Sequence, residues 1–181
     1  LYLFYNKSKS ISRIKKLNKN KNLKIIIYDF YISNEISSNK YPLFFNLFKK
    51  FFNTYFYTIG IVFNIFRLKK IFKKNNLDVL MVLNGGYPGG EVCISAIFSW
   101  FLLKKNNKAW YNIHNYPVDI SNFSMLRKLY ENMMDYLISK SINGIITVSK
   151  SCKKEFNKRP MIDESRIHHI HNGFDNNFYL R

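Results

Sequence analysis

The residue types best suited to binding chemistry lie in the segment Asn84–Glu91, which reads NGGYPGGE and holds four of the chain's seven glycines. The unbroken apolar run before it predicts a strand buried on both faces, and the apolar run 92–103 after it predicts a buried helix. Glycine lets a ligand approach backbone N–H groups closely, and a helix N-terminus suits phosphate groups or sugar hydroxyls. The segment therefore predicts a ligand-binding loop, with a turn that needs glycine for its shape alone as the alternative.

The other candidate residues each stand at the end of a predicted strand; they are His114 with Asn115, Ser149, and Asn172 with Gly173. The carboxyl ends of parallel strands meet at one edge of a sheet, where α/β folds bind ligands. We therefore expect these residues to line one cleft together with the glycine-rich segment. Taken singly, His114 is more typical of a structural histidine, Ser149 of a helix N-cap, and Asn172 with Gly173 of a turn.

The elements that would position these residues alternate between strands and helices, which predicts an α/β fold with one parallel sheet flanked by helices. The predicted strands are Leu23–Tyr28, Val79–Leu83, Ala109–Ile113, Ile145–Val148 and Ile167–Ile170. Met125–Ser141 predicts an amphipathic helix whose apolar face holds Leu126, Leu129, Met133, Leu137 and Ile138. Ser149 or Ser151 is predicted to cap a helix that runs through Phe156.

The segment Tyr41–Asn75 is rich in phenylalanine and ends in a cluster of lysines. It predicts either two helices that pack on the sheet with their lysines in solvent, or a helix that lies in a membrane interface and binds anionic lipid. The segment Ile11–Leu17 also has helical spacing, and Leu1–Tyr5 is a short strand candidate.

The composition fits one domain of 181 residues with a net charge of +18, which favours a polyanionic partner. The abundance of lysine and asparagine is also what an AT-rich coding sequence produces, and no recognition motif for DNA or RNA is visible. We therefore expect no nucleic acid partner. Cys93 and Cys152 lack metal-ligand spacing and are expected to be reduced.

The motifs together, and in this order, resemble the N-terminal domain of the family 4 glycosyltransferases, which have the GT-B fold. The resemblance rests on DVLMVLNGGYPGG, YNIHN, GIITVSKSCKKEF and RIHHIHNGFD. It extends over Leu77–Asp175. Over Leu23–Asn76, only the order of the predicted helices and strands resembles that of the family. It implies a Rossmann-like domain that forms the N-terminal half of an enzyme. That enzyme would transfer a sugar, with retention, from a nucleotide sugar to a glycan or lipid-linked acceptor.

The resemblance also implies roles for the candidate residues. His114 matches the family's histidine near the transferred sugar and would be catalytic. The acceptor side of the cleft would be formed by Gly85, Gly86, Tyr87, Pro88, Gly89 and Gly90, with Asn115, Ser149, Asn172 and Gly173. No metal or cofactor is implied, because helix dipoles and basic side chains offset the diphosphate charge of the nucleotide sugar, which is a co-substrate.

The resemblance implies that residues 1–175 are this domain and that residues 176–181 begin an interdomain linker. On this resemblance we expect the second domain, with the family's paired glutamates, to lie outside the 181 residues. Tyr5–Ser12 lacks the glycine pair of many relatives. We therefore expect a fragment that is inactive alone, cytoplasmic, with a peripheral contact at the inner membrane face as a possibility. The alternatives are a basic membrane- or nucleic-acid-binding module and a nucleotide-binding domain of another chemistry.

Overall fold

The computed structural model describes the backbone of residues 2–6, 24–28, 43–103 and 108–171, and the side chains of residues 57–103 and 108–171. The chain divides into two compact units, Leu1–Gly60 and Ile61–Arg181. The predicted helix Ile11–Leu17 and the residues Asn172 and Gly173 lie outside the described residues.

The first unit contains a parallel pair of strands, β1 (Tyr2–Asn6) and β2 (Lys24–Tyr28). The sequence predicted β2 in one sheet with all the later strands. Instead, the described strands form two sheets, and β2 pairs with β1 over five residues. The two segments are both short and apolar, so each can satisfy the backbone groups along one edge of the other.

The second unit contains a four-stranded parallel sheet in the order β3-β4-β5-β6. The strands are β3 (Leu80–Asn84), β4 (Ala109–Ile113), β5 (Gly144–Thr147) and β6 (Ile167–His169). Each crossover contains a helix, as parallel pairing requires. These are α2 (Glu91–Phe101), α3 (Met125–Ser141) and the short α4 (Lys150–Glu155), which continues as a 3-10 turn, Phe156–Lys158. A second 3-10 turn, Glu164–Arg166, leads into β6. The predicted α/β class is confirmed.

The helix before β3, α1, runs from Leu43 to Lys74 as a single element, where two helices were one of the predictions. Gly60 does not end it, because an interior glycine costs a helix only about 1 kcal/mol. The α2 side chains Ser95 and Ser99 donate to the α1 carbonyls of Ile61 and Ile65, at 3.1 and 2.9 Å. These bonds hold the two helices in close contact. None of the described helices has the length and hydropathy that a membrane span requires.

The helix α3 has the predicted bounds, but it buries a different face from the one expected. Ile138 and Met134 are buried, whereas Leu126 is 82% exposed and Leu129 is 67% exposed. The buried side also holds Asp135, whose carboxylate binds the interior Arg159. The polar contact of Asp135 therefore helps to set the rotation of the helix, which places most of the predicted apolar face in solvent.

This rotation predicts unequal effects for two apolar truncations on α3. We expect Ile138→Ala to lower the free energy of unfolding by about 2–5 kcal/mol, because it leaves a cavity in the core. We expect Leu126→Ala to change it by less than about 0.5 kcal/mol, because Leu126 lies in solvent. Urea unfolding followed by circular dichroism measures both, and equal losses would contradict the observed orientation.

Candidate functional site

The carboxyl ends of β3 and β4 stay paired beyond the last residues of the strands. The backbone N–H of His114 donates to Asn84 O at 3.2 Å, and the N–H of Asn115 donates to Gly85 O. Farther along, the N–H of Val118 donates to Tyr87 O at 3.1 Å. The segment Gly85–Gly90, here called the glycine loop, therefore lies at the same edge of the sheet as His114.

Within the glycine loop, Gly89 is required by the protein's own geometry. Its φ is +96°, which side chains of L-residues rarely adopt, and a Cβ there would lie 1.9 Å from the Tyr111 hydroxyl oxygen. That hydroxyl donates to Pro88 O, and the amide of Asn84 donates to Gly86 O. The peptide bond between Tyr87 and Pro88 is cis. Side chains of β3 and β4 thus hold the glycine loop in this conformation.

Gly86 and Gly90 are different, because an added Cβ would meet no described residue within 4 Å at either position. Gly90 has an extended backbone and is the N-cap of α2, where no side chain caps the helix. The first turn of α2 carries Glu91, which is only 5% exposed. The backbone of the loop is therefore open at these two glycines, next to a helix N-terminus that already has a carboxylate nearby.

The phenol of Tyr87 points into the protein and is 1% exposed, so it does not line the cleft as the sequence had suggested. Its hydroxyl donates to the Asp135 carboxylate at 2.9 Å, and its ring lies 4.9 Å from the guanidinium carbon of Arg159. Burial raises the pKa of Tyr87 well above its usual range, which keeps the phenol protonated as a donor. Tyr87 therefore anchors the loop to the domain interior.

The interior partner is Arg159, which is fully buried. Its guanidinium donates to Asp135 at 2.8 and 3.0 Å, to Glu131 at 2.6 Å and to Val118 O at 2.9 Å. Burial raises the pKa of the Asp135 carboxyl, and the hydrogen bonds from Arg159 oppose that shift. Sequence reasoning missed Arg159. The available signal was the pair of acidic residues at i and i+4, Glu131 and Asp135, on the amphipathic helix α3.

The ends of β4 and β5 are joined through Cys152. Its thiol donates to Asn115 O at 3.2 Å, and its backbone N–H donates to the Ser149 hydroxyl at 3.1 Å. Ser149 is thus the N-cap of α4, as predicted, and its hydroxyl also lies 2.9 Å from that of Ser151. Burial raises the pKa of Cys152, and it raises that of Cys93 to about 11, so both free cysteines are thiols at neutral pH.

His114 is exposed at this edge, and its imidazole makes no hydrogen bond to another described residue. The structure therefore brings together the glycine loop, His114, Asn115 and Ser149, while Asn172 and Gly173 lie outside the described residues. Within residues 57–103 and 108–171, no cluster of three His, Cys, Asp or Glu side chains is arranged to hold a metal ion. The edge offers open backbone amides, one imidazole, and amide and hydroxyl groups.

The sequence model described as Glycosyltransferase Family 4 matches residues 31–178. No curated protein matches the chain. Two similar solved structures are the UDP-GlcNAc 2-epimerase from Neisseria meningitidis bound to UDP-GlcNAc and S. aureus MnaA with UDP. The first is 9% identical with a TM-score of 0.49, over 93% of this chain and 44% of that one. The second is 11% identical with a TM-score of 0.47, over 92% and 42%. The chain thus spans less than half the length of either protein.

Substitution by alanine is expected to lower the stability of the protein by different amounts at Gly89 and at Gly86. Gly89→Ala is expected to lower the free energy of unfolding by about 2 kcal/mol or more, because alanine at positive φ costs about 1–2 kcal/mol and its Cβ would also collide with Tyr111. Gly86→Ala is expected to change it by less than about 0.5 kcal/mol, because the added methyl group enters open space. Urea titration measures both, and a large loss for Gly86→Ala would mean that its environment is closed.

The buried guanidinium predicts a large loss on truncation. Arg159→Met is expected to lower the free energy of unfolding by about 3–5 kcal/mol, because it leaves the Asp135 and Glu131 carboxylates without their cation. Lys158→Met is the matched control. Lys158 pairs with Glu155 at the surface, and such pairs contribute about 0–1 kcal/mol. Thermal unfolding of the two variants compares them directly, and a similar loss in both would contradict the role assigned to Arg159.

Proposed function

The chain belongs to glycosyltransferase family 4, and on this basis we propose that it forms the acceptor-side domain of a retaining glycosyltransferase. Such an enzyme transfers a sugar from a nucleotide sugar to a glycan or lipid-linked acceptor. The observation that carries the proposal is the backbone pairing of the glycine loop with the end of β4. That pairing places open backbone at Gly86 and Gly90 along the same edge as the exposed imidazole of His114.

The open backbone of the glycine loop suits the hydroxyl groups of an acceptor. Gly90, the N-cap of α2, makes no side-chain hydrogen bond that caps the helix, and a Cβ at Gly86 or Gly90 would meet no described residue within 4 Å. This open backbone can accept hydrogen bonds from sugar hydroxyls or donate to them, which supports the assignment of the glycine loop to the acceptor.

In the proposed mechanism, His114 aims a hydrogen bond at the sugar that is transferred or at the hydroxyl that receives it. A neutral imidazole can donate from one ring nitrogen and accept at the other, so it can stabilise charge as it develops. Asn115 lies next to His114, and Ser149 is joined to Asn115 through Cys152, so both can orient the acceptor. We propose no metal ion at this edge.

The nucleotide sugar would be held by a second domain that faces this edge. Transfer requires the reacting atoms to meet in one geometry with water excluded, and one wall of a cleft does not supply that. We therefore expect residues 1–181 to bind acceptor sugars and to release no nucleotide from a nucleotide sugar by themselves.

Acceptor binding is tested with the ¹⁵N-labelled chain and a panel of mono-, oligo- and lipid-linked saccharides. We expect saturable shifts of the Gly86, Gly90 and His114 amides. His114→Ala should weaken the binding roughly fivefold, which is the equivalent of one hydrogen bond of about 1 kcal/mol. Nucleotide release is assayed in the same samples after a panel of nucleotide sugars is added.

His168→Ala is the matched control, because His168 is an exposed histidine on β6 whose ring lies against Trp110. It should leave the affinity unchanged. Equal weakening by the two variants, or shifts confined to residues away from the glycine loop, would contradict the proposed acceptor site. Sustained nucleotide release would contradict the need for a second domain.

A further inference from the structure

The outer face of α3 is an exposed apolar stripe. Its members, here called the α3 stripe, are all at least 40% exposed: Met125, Leu126, Leu129, Met133, Tyr136 and Leu137. At 100° per residue they fall within roughly 120° of the helix circumference, so they form one continuous strip. Met125, Leu126 and Leu129 are its most exposed members, at 87%, 82% and 67%. Isolated exposed apolar residues are ordinary, but a continuous strip along a helix indicates a binding surface.

The charges of α3 are separated between its inner and outer sides. The helix has two acidic residues, Glu131 and Asp135, and both bind the buried Arg159. Its cations are Arg127, Lys128 and Lys140. The Lys140 ammonium lies 5.6 Å from the ring centroid of Tyr136, a member of the α3 stripe. At 100° per residue, Lys140 falls within the arc of the α3 stripe and Lys128 about 60° beyond its edge. Two cations therefore lie in or beside the apolar strip, on a chain whose net charge is +18.

We propose that the α3 stripe docks on an anionic lipid bilayer, with the helix lying in the interface plane. The leucines and methionines of the stripe would enter the boundary between headgroups and acyl chains. Lys128 and Lys140 would extend to the lipid phosphates, as long cationic side chains do at membrane surfaces. On the opposite face of α3, Ile138 stays buried and Glu131 and Asp135 stay bound to Arg159, so docking requires no unfolding.

The charge pattern favours lipid over a second copy of this chain. A symmetric dimer through the α3 stripe would bring Lys128 and Lys140 of one copy close to the same residues of the other. Each copy also carries a net charge of +18, so their approach is repulsive at moderate salt. An anionic bilayer satisfies the apolar strip and the cations together.

This inference goes beyond the proposed sugar transfer and does not depend on it, because it uses neither the glycine loop nor His114. It also concerns a different element from the interfacial helix considered for Tyr41–Asn75. The helix α1 exposes Phe63 and Phe66, so an experiment has to separate the two helices.

The test is flotation of the full chain with vesicles of equimolar phosphatidylcholine and phosphatidylglycerol, compared with pure phosphatidylcholine vesicles. We expect binding to the anionic vesicles that weakens as salt is raised. Leu126→Gln/Leu129→Gln should lower the partition coefficient by at least about tenfold, because two leucines leave the interface. Val118→Gln/Met161→Gln alters exposed apolar residues outside α3 and should have little effect.

A charge-matched pair separates the α3 cations from general basicity. Lys128→Gln/Lys140→Gln should weaken binding several-fold more than Lys153→Gln/Lys154→Gln, which lowers the net charge equally on α4. A tryptophan introduced as Leu129→Trp should add a signal that brominated lipids quench. Circular dichroism checks that each variant is folded. None of the altered residues is buried, so we expect the substitutions to leave the fold intact.

Three results would overturn the proposal. The first is equal loss of binding in the α3 variants and their controls. The second is loss in Phe63→Ser/Phe66→Ser without loss in the α3 variants, which would assign the contact to α1. The third is no vesicle binding together with a dimer, seen by sedimentation velocity, that Leu126→Gln/Leu129→Gln dissociates. That result would identify a second copy as the partner.

Discussion

The guanidinium of Arg159 is the contact on which the candidate edge and the surface of α3 both depend. It joins α3, through Asp135 and Glu131, to the segment after β4, through Val118 O, and its carbon lies 4.9 Å from the ring of Tyr87 in the glycine loop. A buried cation is costly unless its hydrogen-bonding groups are satisfied, because water is no longer available to solvate it. The chain must therefore bring these separate segments to one point, and their relative positions follow from that requirement.

The orientation of α3 illustrates the force of this constraint. Burying Leu126 and Leu129 instead of Ile138 and Met134 would gain about as much as it lost, since apolar side chains of similar size contribute about 1.5–3 kcal/mol each. Such a rotation would also remove Asp135 from Arg159, and breaking a buried ion pair costs about 3–5 kcal/mol. The polar contact therefore determines which of the two apolar faces is buried, because burial of either face contributes a similar free energy. The exposed stripe on α3 is the consequence.

The sequence could predict those features that a pattern of neighbouring residues encodes. The strands β3–β6 and the bounds Met125–Ser141 were predicted closely, because short apolar runs mark parallel strands and Ser149 caps the helix that follows β5. The prediction that the strand before the glycine loop is buried on both faces was wrong, because β3 ends the four-stranded sheet and its Met81 and Leu83 are 54% and 55% exposed. The meeting of the glycine loop with His114 followed from parallel topology alone. The role of Arg159, the burial of Tyr87 and the pairing of β1 with β2 involve residues far apart in sequence, and no local pattern encodes such contacts.

The glycine loop shows how one motif can combine a structural and a binding requirement. Gly89 is glycine because Tyr111 and Asn84 occupy the space of a side chain and φ is positive, which is a property of the folded chain itself. No such reason applies to Gly86 or Gly90, where the space is open. Because the loop is already held by Pro88 O, by Tyr87 O and by the Tyr87 hydroxyl, a ligand at the open glycines would not have to order it. Binding to a backbone that is ordered beforehand avoids that entropic cost, so a few weak hydroxyl contacts can suffice for specificity.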